Sequence, residues 1–403
     1  MLDTIRICYL IMLCSIATEN VFGQWIRLLR ERENDSSVSS YLNSLKSSTQ
    51  AAASLYVPDG HNHLPADYLN DDRLAPLTRW TQTYIYNHQH PAICNTSQLL
   101  ISTGLVSGFG SEMHVIGAHL AYAIQNNYVL VLGPSACLLF RVPHNCTKGC
   151  ECLFRPISSC GNDTALFADP TVKRIGGHQN MSNHMPDIFK EALLSQFPSM
   201  TRHQIRYWWR GQSAAYLMRF NDDTVRGLAA LRQTQALHYM TGGKPLPFPL
   251  PAGTISAHIR GGDKANEMKL VPAAKFVDAA LALIDRMPNS FSRVFFLSGD
   301  DEQTINETRA LLEGQAMTFA FTRLPRLSGG HKLLAWLQSP FHEAGGFYGH
   351  LLQLVMALEA DAWIGTRGSN WNRLIDELRC VWVDKCGGVY VEVGDQGLGK
   401  YYW

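Results

Sequence analysis

The chain has 403 residues, 46% hydrophobic and 17% charged, with 35 Lys and Arg against 34 Asp and Glu. These are the proportions of an ordinary globular chain, with enough length for two α/β domains. A formal net charge of +1 leaves no basic excess for nucleic acid, and no like-charge block forms a tail.

Residues 1–23 read as a leader. Ile7 to Ala17 is an apolar run behind Arg6, shorter than the roughly 20 residues of a membrane span and of the length of a signal-peptide core. Cleavage after Gly23 and retention as a short signal anchor are both open, so any contact with a membrane runs through this segment. Residues 24–90 are Ser-rich and weakly patterned, as in a stem or linker.

Eight of the ten cysteines lie beyond the leader: Cys94, Cys137, Cys146, Cys150, Cys152, Cys160, Cys380 and Cys386. The spacing within Cys146–Cys160 does not match a zinc site, so the even count points to disulfides in an oxidising lumen, with pairing unreadable from sequence. Glycosylation sequons at Asn34, Asn95, Asn145, Asn162, Asn180 and Asn306 agree with that route. The expected location is the secretory pathway, either the Golgi lumen with an anchor or outside the cell.

The first folded unit spans residues 91–245. A short apolar strand at Leu99–Ser102 is followed by Gly108-Phe109-Gly110, a helix carrying Met113, Ile116 and Leu120 inward, and a buried strand to Leu132. Strand, Gly-rich turn, helix, strand is a βαβ unit. Gly108 and Gly110 either let backbone N–H groups meet an anion or allow tight packing. Trp208 and Trp209 read as core.

Four prolines and three glycines in Thr241–Gly253 mark the boundary to a second unit, residues 246–403. Its first strand, Ile255–Ile259, ends in Arg260-Gly261-Gly262-Asp263-Lys264. Helix and strand then alternate: a helix after Pro272, a strand at Val294–Ser298 ending in Asp300-Asp301, a helix to Leu312, and a strand at Met317–Phe321. After a long loop with a short helix at Leu333–Leu337 come a helix at Tyr348–Glu359, a strand at Ala362–Ile364, a helix from Ser369 to Arg379, and a closing strand at Cys380–Val383. Such alternation predicts an α/β fold with a doubly wound parallel sheet. Three strand ends carry polar sets: Arg260 with Asp263, Asp300 with Asp301, and Ser369 with Arg373. In such a sheet these converge on one crevice, which points to a nucleotide site.

Arg260 and Arg373 are suited to offset a diphosphate, and a helix starting at Ser369 offers N–H groups to another oxygen. Asp300 or Asp301 suits a ribose hydroxyl or base donor, and His258 either contacts the base or is structural. There is no D-x-D triplet and no H-E-x-x-H, so no metal and no other cofactor is expected. Glu267 is the candidate general base, with Asp263 and Lys264 beside it to tune it.

Taken in order, these segments resemble the α1,6-fucosyltransferase family over roughly Cys94 to Asp384. Its H-x-R-R-T-D-K is similar to His258-Ile259-Arg260-Gly261-Gly262-Asp263-Lys264. Its G-[YF]-G before a helix is similar to Gly108-Phe109-Gly110, its F-R-P-[VI]-S to Phe154–Ser158, and its W-W…Y-L-x-R to Trp208-Trp209 with Tyr216–Arg219. Its A-D-F-L-V-x-T-F-S-S-Q-x-x-R is similar to Ala360–Arg373.

The resemblance implies two Rossmann-like domains facing a cleft (the GT-B type), GDP-fucose as donor substrate, inversion and no metal, with a glycan or glycoprotein as acceptor. It implies that Arg260 holds the β-phosphate, that Ser369 assists, and that the Gly108–Gly110 loop approaches from the other domain. The chain departs from the family at Gly261 and Gly262, which replace an arginine and a threonine. It departs again at Glu267, one residue short of the family's glutamate, and at Gln353, which aligns with a donor-contacting aspartate.

Overall fold

The structure is a computed structural model that describes residues 74–394 apart from 106, 138–145, 147, 162–163, 178–184, 240–249, 262–263, 266–268, 316, 323–325, 327–345 and 384. The leader, residues 24–73 of the expected stem and the expected helix at Leu333–Leu337 lie outside the described residues, and residues 76–89 of that stem form a helix packed into the core.

Helix α1 (Pro76–Gln89) opens with proline, whose missing N–H has no intrahelical partner to lose there. The βαβ unit follows as expected: β1 (Leu99–Ser102), α2 (Phe109–Gln125) and β2 (Val129–Leu132), with Leu99 opposite Val129 in a parallel pair. β3 (Lys173–Ile175) pairs in parallel with the other edge of β1, so the first sheet runs β2-β1-β3. Three helices complete this half: α3 (Asp187–Gln196), α4 (Arg202–Leu217) and α5 (Asp222–Gln235). Thr201 and Gln204 form a reciprocal capping box at the start of α4. Trp208 and Trp209 are buried, and Trp209 stacks on Phe189 with ring centroids 5.4 Å apart.

The second sheet has six strands: β4 (Ala236–Tyr239), β5 (Ile255–Ile259), β6 (Val294–Gly299), β7 (Thr318–Thr322), β8 (Ala362–Gly365) and β9 (Val389–Glu392). They are ordered β4-β7-β6-β5-β8-β9. All neighbours are parallel except β4 and β7. Counted from β5 as the first strand, β7-β6-β5-β8-β9 reads 3-2-1-4-5, the doubly wound nucleotide-binding order, which reverses between β5 and β8.

Two sequence expectations are corrected here. The division at 245/246 does not follow the sheets, because β4 precedes it and joins the second sheet as an antiparallel edge, Ala236 opposite Thr322. Cys380–Val383 is not a strand. α9 (Asn370–Val381) runs into it and ends there with Trp382 as C-cap, keeping Leu374, Leu378, Val381 and Trp382 inward, and β9 closes the sheet instead.

Between β5 and β8 the chain also forms α6 (Ala273–Arg286), α7 (Glu302–Glu313) and α8 (Gly346–Glu359). Strand residues alternate between the two faces. Phe295 and Leu297 share a core with Phe276 of α6 and Ile305 of α7. Phe296 shares another with α8 and α9, and that core runs on without a break through α2 and α4 to α1. The two sheets are thus joined by one helical layer.

Four disulfides, Cys94–Cys160, Cys137–Cys150, Cys146–Cys152 and Cys380–Cys386, use all eight cysteines beyond the leader. Among the described residues no helix is long and apolar enough to cross a membrane, and no group of three or more His, Cys, Asp and Glu is placed to hold a metal ion.

Glu112, in the first turn of α2, ties the loop after β1 to the loop after β2. Its Oε1 accepts the Cys137 N–H at 2.7 Å and would lie 2.6 Å from a Cβ placed on Gly104. Burial raises its pKa from 4.5 to about 7, against the pull of the Cys137 and Leu105 N–H groups. A raised carboxyl pKa stabilises the fold fully below pH 4.5 and loses that contribution as pH rises through about 7. The span corresponds to about 3 kcal/mol. Glu112→Gln keeps the acceptor and cannot ionise. Denaturant titrations from pH 4 to 8 are expected to show the variant losing less stability than the parent as pH rises; parallel curves contradict this.

Candidate active site

The crevice opens at the reversal between β5 and β8. β5 ends in Arg260, whose guanidinium pairs with Asp300 just beyond β6; each side chain is about one-fifth exposed. The other Asp300 oxygen accepts the Gly261 N–H at 2.9 Å. A Cβ on Gly261 would stand 2.8 Å from the Cβ of Asp301, so the backbone here passes too close to the start of α7 for a side chain. Asp301 is the N-cap of α7, its carboxylate accepting the Thr304 N–H at 2.8 Å and the Thr304 hydroxyl at 2.6 Å. The sequence offers Asp300 or Asp301 to a ribose or base; in the structure the first holds Arg260 and the loop, and the second caps a helix.

His258 is buried on β5. The Ser298 hydroxyl donates to the Ala257 carbonyl at 3.2 Å and so uses its one hydrogen. His258 Nδ1, 3.1 Å from the same oxygen, must therefore donate to it. Nε2 is left as a bare acceptor, buried and without a partner among the described residues. The ring is neutral: burial, then the charges of Arg260, His350 and Arg326, hold its pKa well below the ordinary value. His350 on α8 is held at about 4 by burial and by Arg326 and Arg260. Trp371 lies between the two imidazoles, 6.1 Å from each ring centroid.

Gln353, which the sequence offers as a donor contact, lies one helical turn after His350 on α8. Its Oε1 accepts the Gly299 N–H at 3.2 Å and its Nε2 donates to the Thr322 hydroxyl at 3.1 Å, so both ends tie β6 to β7. Arg326 braces the same strand ends, donating to the Gly299 and Thr322 carbonyls at 3.1 and 2.8 Å.

On the other side of the crevice, Ser369 is the buried N-cap of α9 and makes no capping bond with its side chain. The first N–H groups of α9 therefore have no side-chain cap, and the helix dipole points its positive end at the crevice. Arg373, which the sequence offers to a diphosphate, lies in the first turn of α9. It is buried and holds the loop, donating to the Arg367 carbonyl at 2.5 Å and to Asn370 Oδ1 at 2.9 Å.

Helix α2 brings a second N-terminus to the same point. Its N-cap, Gly108, has no side chain. A Cβ on Gly110 would lie 2.8 Å from the backbone C and O of Asn370, so the two helix starts touch main chain to main chain. Asn370 Nδ2 donates to the Ser111 hydroxyl at 2.6 Å across that contact. Phe109 packs against Trp371 and Phe347, with centroids 5.9 and 4.8 Å away. One turn further along α2, His114 bonds Glu377 of α9 at 2.8 Å. Two positive helix ends thus meet next to the end of β5, where Asn372 of α9 donates to the His258 carbonyl at 3.2 Å, an arrangement suited to an anion.

Of the residues singled out by sequence, Gly108, Gly110, His258, Arg260, Asp300, Asp301, Gln353, Ser369 and Arg373 all border this crevice or brace the strand and helix ends that form it. Lys264 donates its N–H to the Gly261 carbonyl at 3.2 Å. Asp263 and Glu267 lie outside the described residues. Sequence reasoning missed His350, Arg326 and Trp371. His350 was findable, because its i, i+3 spacing to Gln353 places both on one face of α8.

No protein-family model matches the chain, and no curated protein matches it in sequence. Among solved structures it is similar to NodZ α-1,6-fucosyltransferase soaked with GDP-fucose, at 14% identity and TM-score 0.38, over 70% of this chain and 92% of that one. It is similar to POFUT1 in complex with GDP-fucose at 10% identity and TM-score 0.42, over 76% and 100%. It is also similar to an Arabidopsis thaliana FUT1 variant in complex with GDP at 11% identity and TM-score 0.38, over 77% and 76%. Likeness of this size carries no argument about substrate or chemistry, which rest on the residues.

Gly110→Ala is expected to cost about 1–3 kcal/mol in denaturant titrations, since backbone must move to admit the methyl group. Gly108→Ala is expected to cost less, about 0.5 kcal/mol from the poorer N-cap alone, because its Cβ would meet nothing within 4 Å. Equal costs at the two positions contradict the helix-to-helix contact. Asp300→Asn keeps an acceptor for Gly261 and removes the charge opposing Arg260. It is expected to tighten inorganic pyrophosphate binding about two- to fivefold by calorimetry, the range of a partly exposed ion pair; unchanged or weaker binding contradicts the pairing.

Proposed function

We propose that the protein is a glycosyltransferase that moves fucose from GDP-fucose to a glycan or glycoprotein acceptor, with inversion at the fucose carbon and without a metal. The observation that carries this reading is Arg260 just beyond β5 at the strand-order reversal, two residues after the His258 carbonyl that Asn372 of α9 bonds at 3.2 Å, within the motif His258-x-Arg260-x-x-Asp263-Lys264. When the bond between the fucose carbon and the diphosphate breaks, negative charge grows on the leaving oxygen. In this reading Arg260 and the N–H groups following Ser369 offset it. The bare Nε2 of His258 accepts an N–H of the base. The acceptor hydroxyl must lose a proton as it attacks, and Glu267 is the proposed base, tuned by Asp263 and Lys264. Four disulfides support a luminal setting, in the Golgi or outside the cell.

A second reading, a non-catalytic glycan-binding protein, draws on Gly261, which has no room for the side chain the resembled family carries, and on Gln353, whose amide is fully engaged. A protein O-fucosyltransferase, or use of another GDP-sugar, keeps the same donor site with a changed acceptor or sugar.

GDP release across a panel of GDP-sugars, with glycan and protein acceptors and with and without EDTA, separates these readings. Turnover of GDP-fucose is expected, unaffected by EDTA, with kcat/KM falling on the order of a hundredfold in Arg260→Ala. GDP binding that survives Arg260→Ala unchanged, without turnover, supports the non-catalytic reading. Absence of both binding and turnover overturns the proposal.

A further inference from the structure

We propose that Asn95 carries an N-linked glycan that screens the exposed Ile93 side chain. Residues 92–98 are all exposed, and Ile93 is 82% exposed, far more than the other exposed large hydrophobics, Leu311 at 42% and Ile188 at 37%. Asn95 follows Cys94, whose disulfide to Cys160 fixes this edge to the fold. Within the sequon Asn95-Thr96-Ser97, the Asn95 Oδ1 accepts both the Ser97 N–H at 3.1 Å and the Ser97 hydroxyl at 2.9 Å. The side-chain carbonyl is thus turned in toward the sequon hydroxyl, on a fully exposed segment of chain.

The other sequon among the described residues is built differently. Asn306 lies within α7, and the hydroxyl of its sequon threonine, Thr308, is buried and donates to the Thr304 carbonyl at 2.7 Å.

The co-reactant is an oligosaccharide carried on a lipid diphosphate. A bond forms between Asn95 Nδ2 and the anomeric carbon, that carbon's bond to the diphosphate oxygen breaks, the amide gives up one proton, and the lipid diphosphate leaves. In this proposal the first sugars, attached two residues from Ile93, screen that exposed side chain from other molecules.

The test is expression of the full chain in a eukaryotic secretory host, enzymatic deglycosylation in heavy-oxygen water, and peptide mass spectrometry. The expected result is a labelled aspartate at position 95, lost in Asn95→Gln and in Ser97→Ala and kept in Ser97→Thr. Asn95→Gln is further expected to associate more readily on sizing, and Ile93→Ser in the same chain to reverse that. An unlabelled Asn95, in a folded secreted chain or in one retained in the cytosol, overturns the proposal. So does a label that persists in Ser97→Ala.

Discussion

The contact between the start of α2 and the start of α9 is the constraint on which the rest of this structure depends. Two helices from opposite halves of the chain meet where each presents the N–H groups it cannot satisfy internally. Ordinarily two positive helix ends repel, and contact is tolerated only if something else holds them. Here the Asn370–Ser111 bond, the Phe109–Trp371 packing and the His114–Glu377 bond supply that hold. Gly110 lets the backbones come together. Their meeting creates an electropositive point at the reversal of the second sheet, with Arg260 on its border.

Charge buried along α9 fits the same picture. Asp376 bonds Arg367 at 3.1 Å and Arg379 at 2.7 Å. Burial pushes its carboxyl up, yet Arg379, Arg367 and the Tyr207 hydroxyl together hold it below the ordinary value. Arg367 also lies over the Tyr390 ring. Removing one member of such a set leaves its partner charged and buried, which costs more than the pair itself contributes. Helix α9 is thereby pinned in register against α4 and β9, and the direction of its N-terminus is set by groups two turns away from it.

Much of the second sheet was legible in the chain because parallel strands buried on both faces are continuous apolar runs, as in Val294–Gly299. The crevice was legible as three polar strand ends. The contacts these polar residues make within the fold were not legible, since a carboxylate that caps a helix and one that binds a ligand look alike in sequence. Asp301 had its signal, a threonine three residues on, and Gln353 had none, because both of its partners come from other strands. β4 was invisible for a related reason: an edge strand is defined by its partner, here β7, far along the chain. Cys380–Val383 is a short apolar run, which periodicity alone does not assign to helix or strand.

The central claim is that Arg260 and the two facing helix starts form one diphosphate site, and a crystal structure of the chain with GDP tests it most directly. The diphosphate is expected between the Ser369 end of α9 and the Gly108 end of α2, with the Arg260 guanidinium turned from Asp300 to a phosphate oxygen. GDP bound elsewhere, or bound there with the Arg260–Asp300 pair intact, would contradict it.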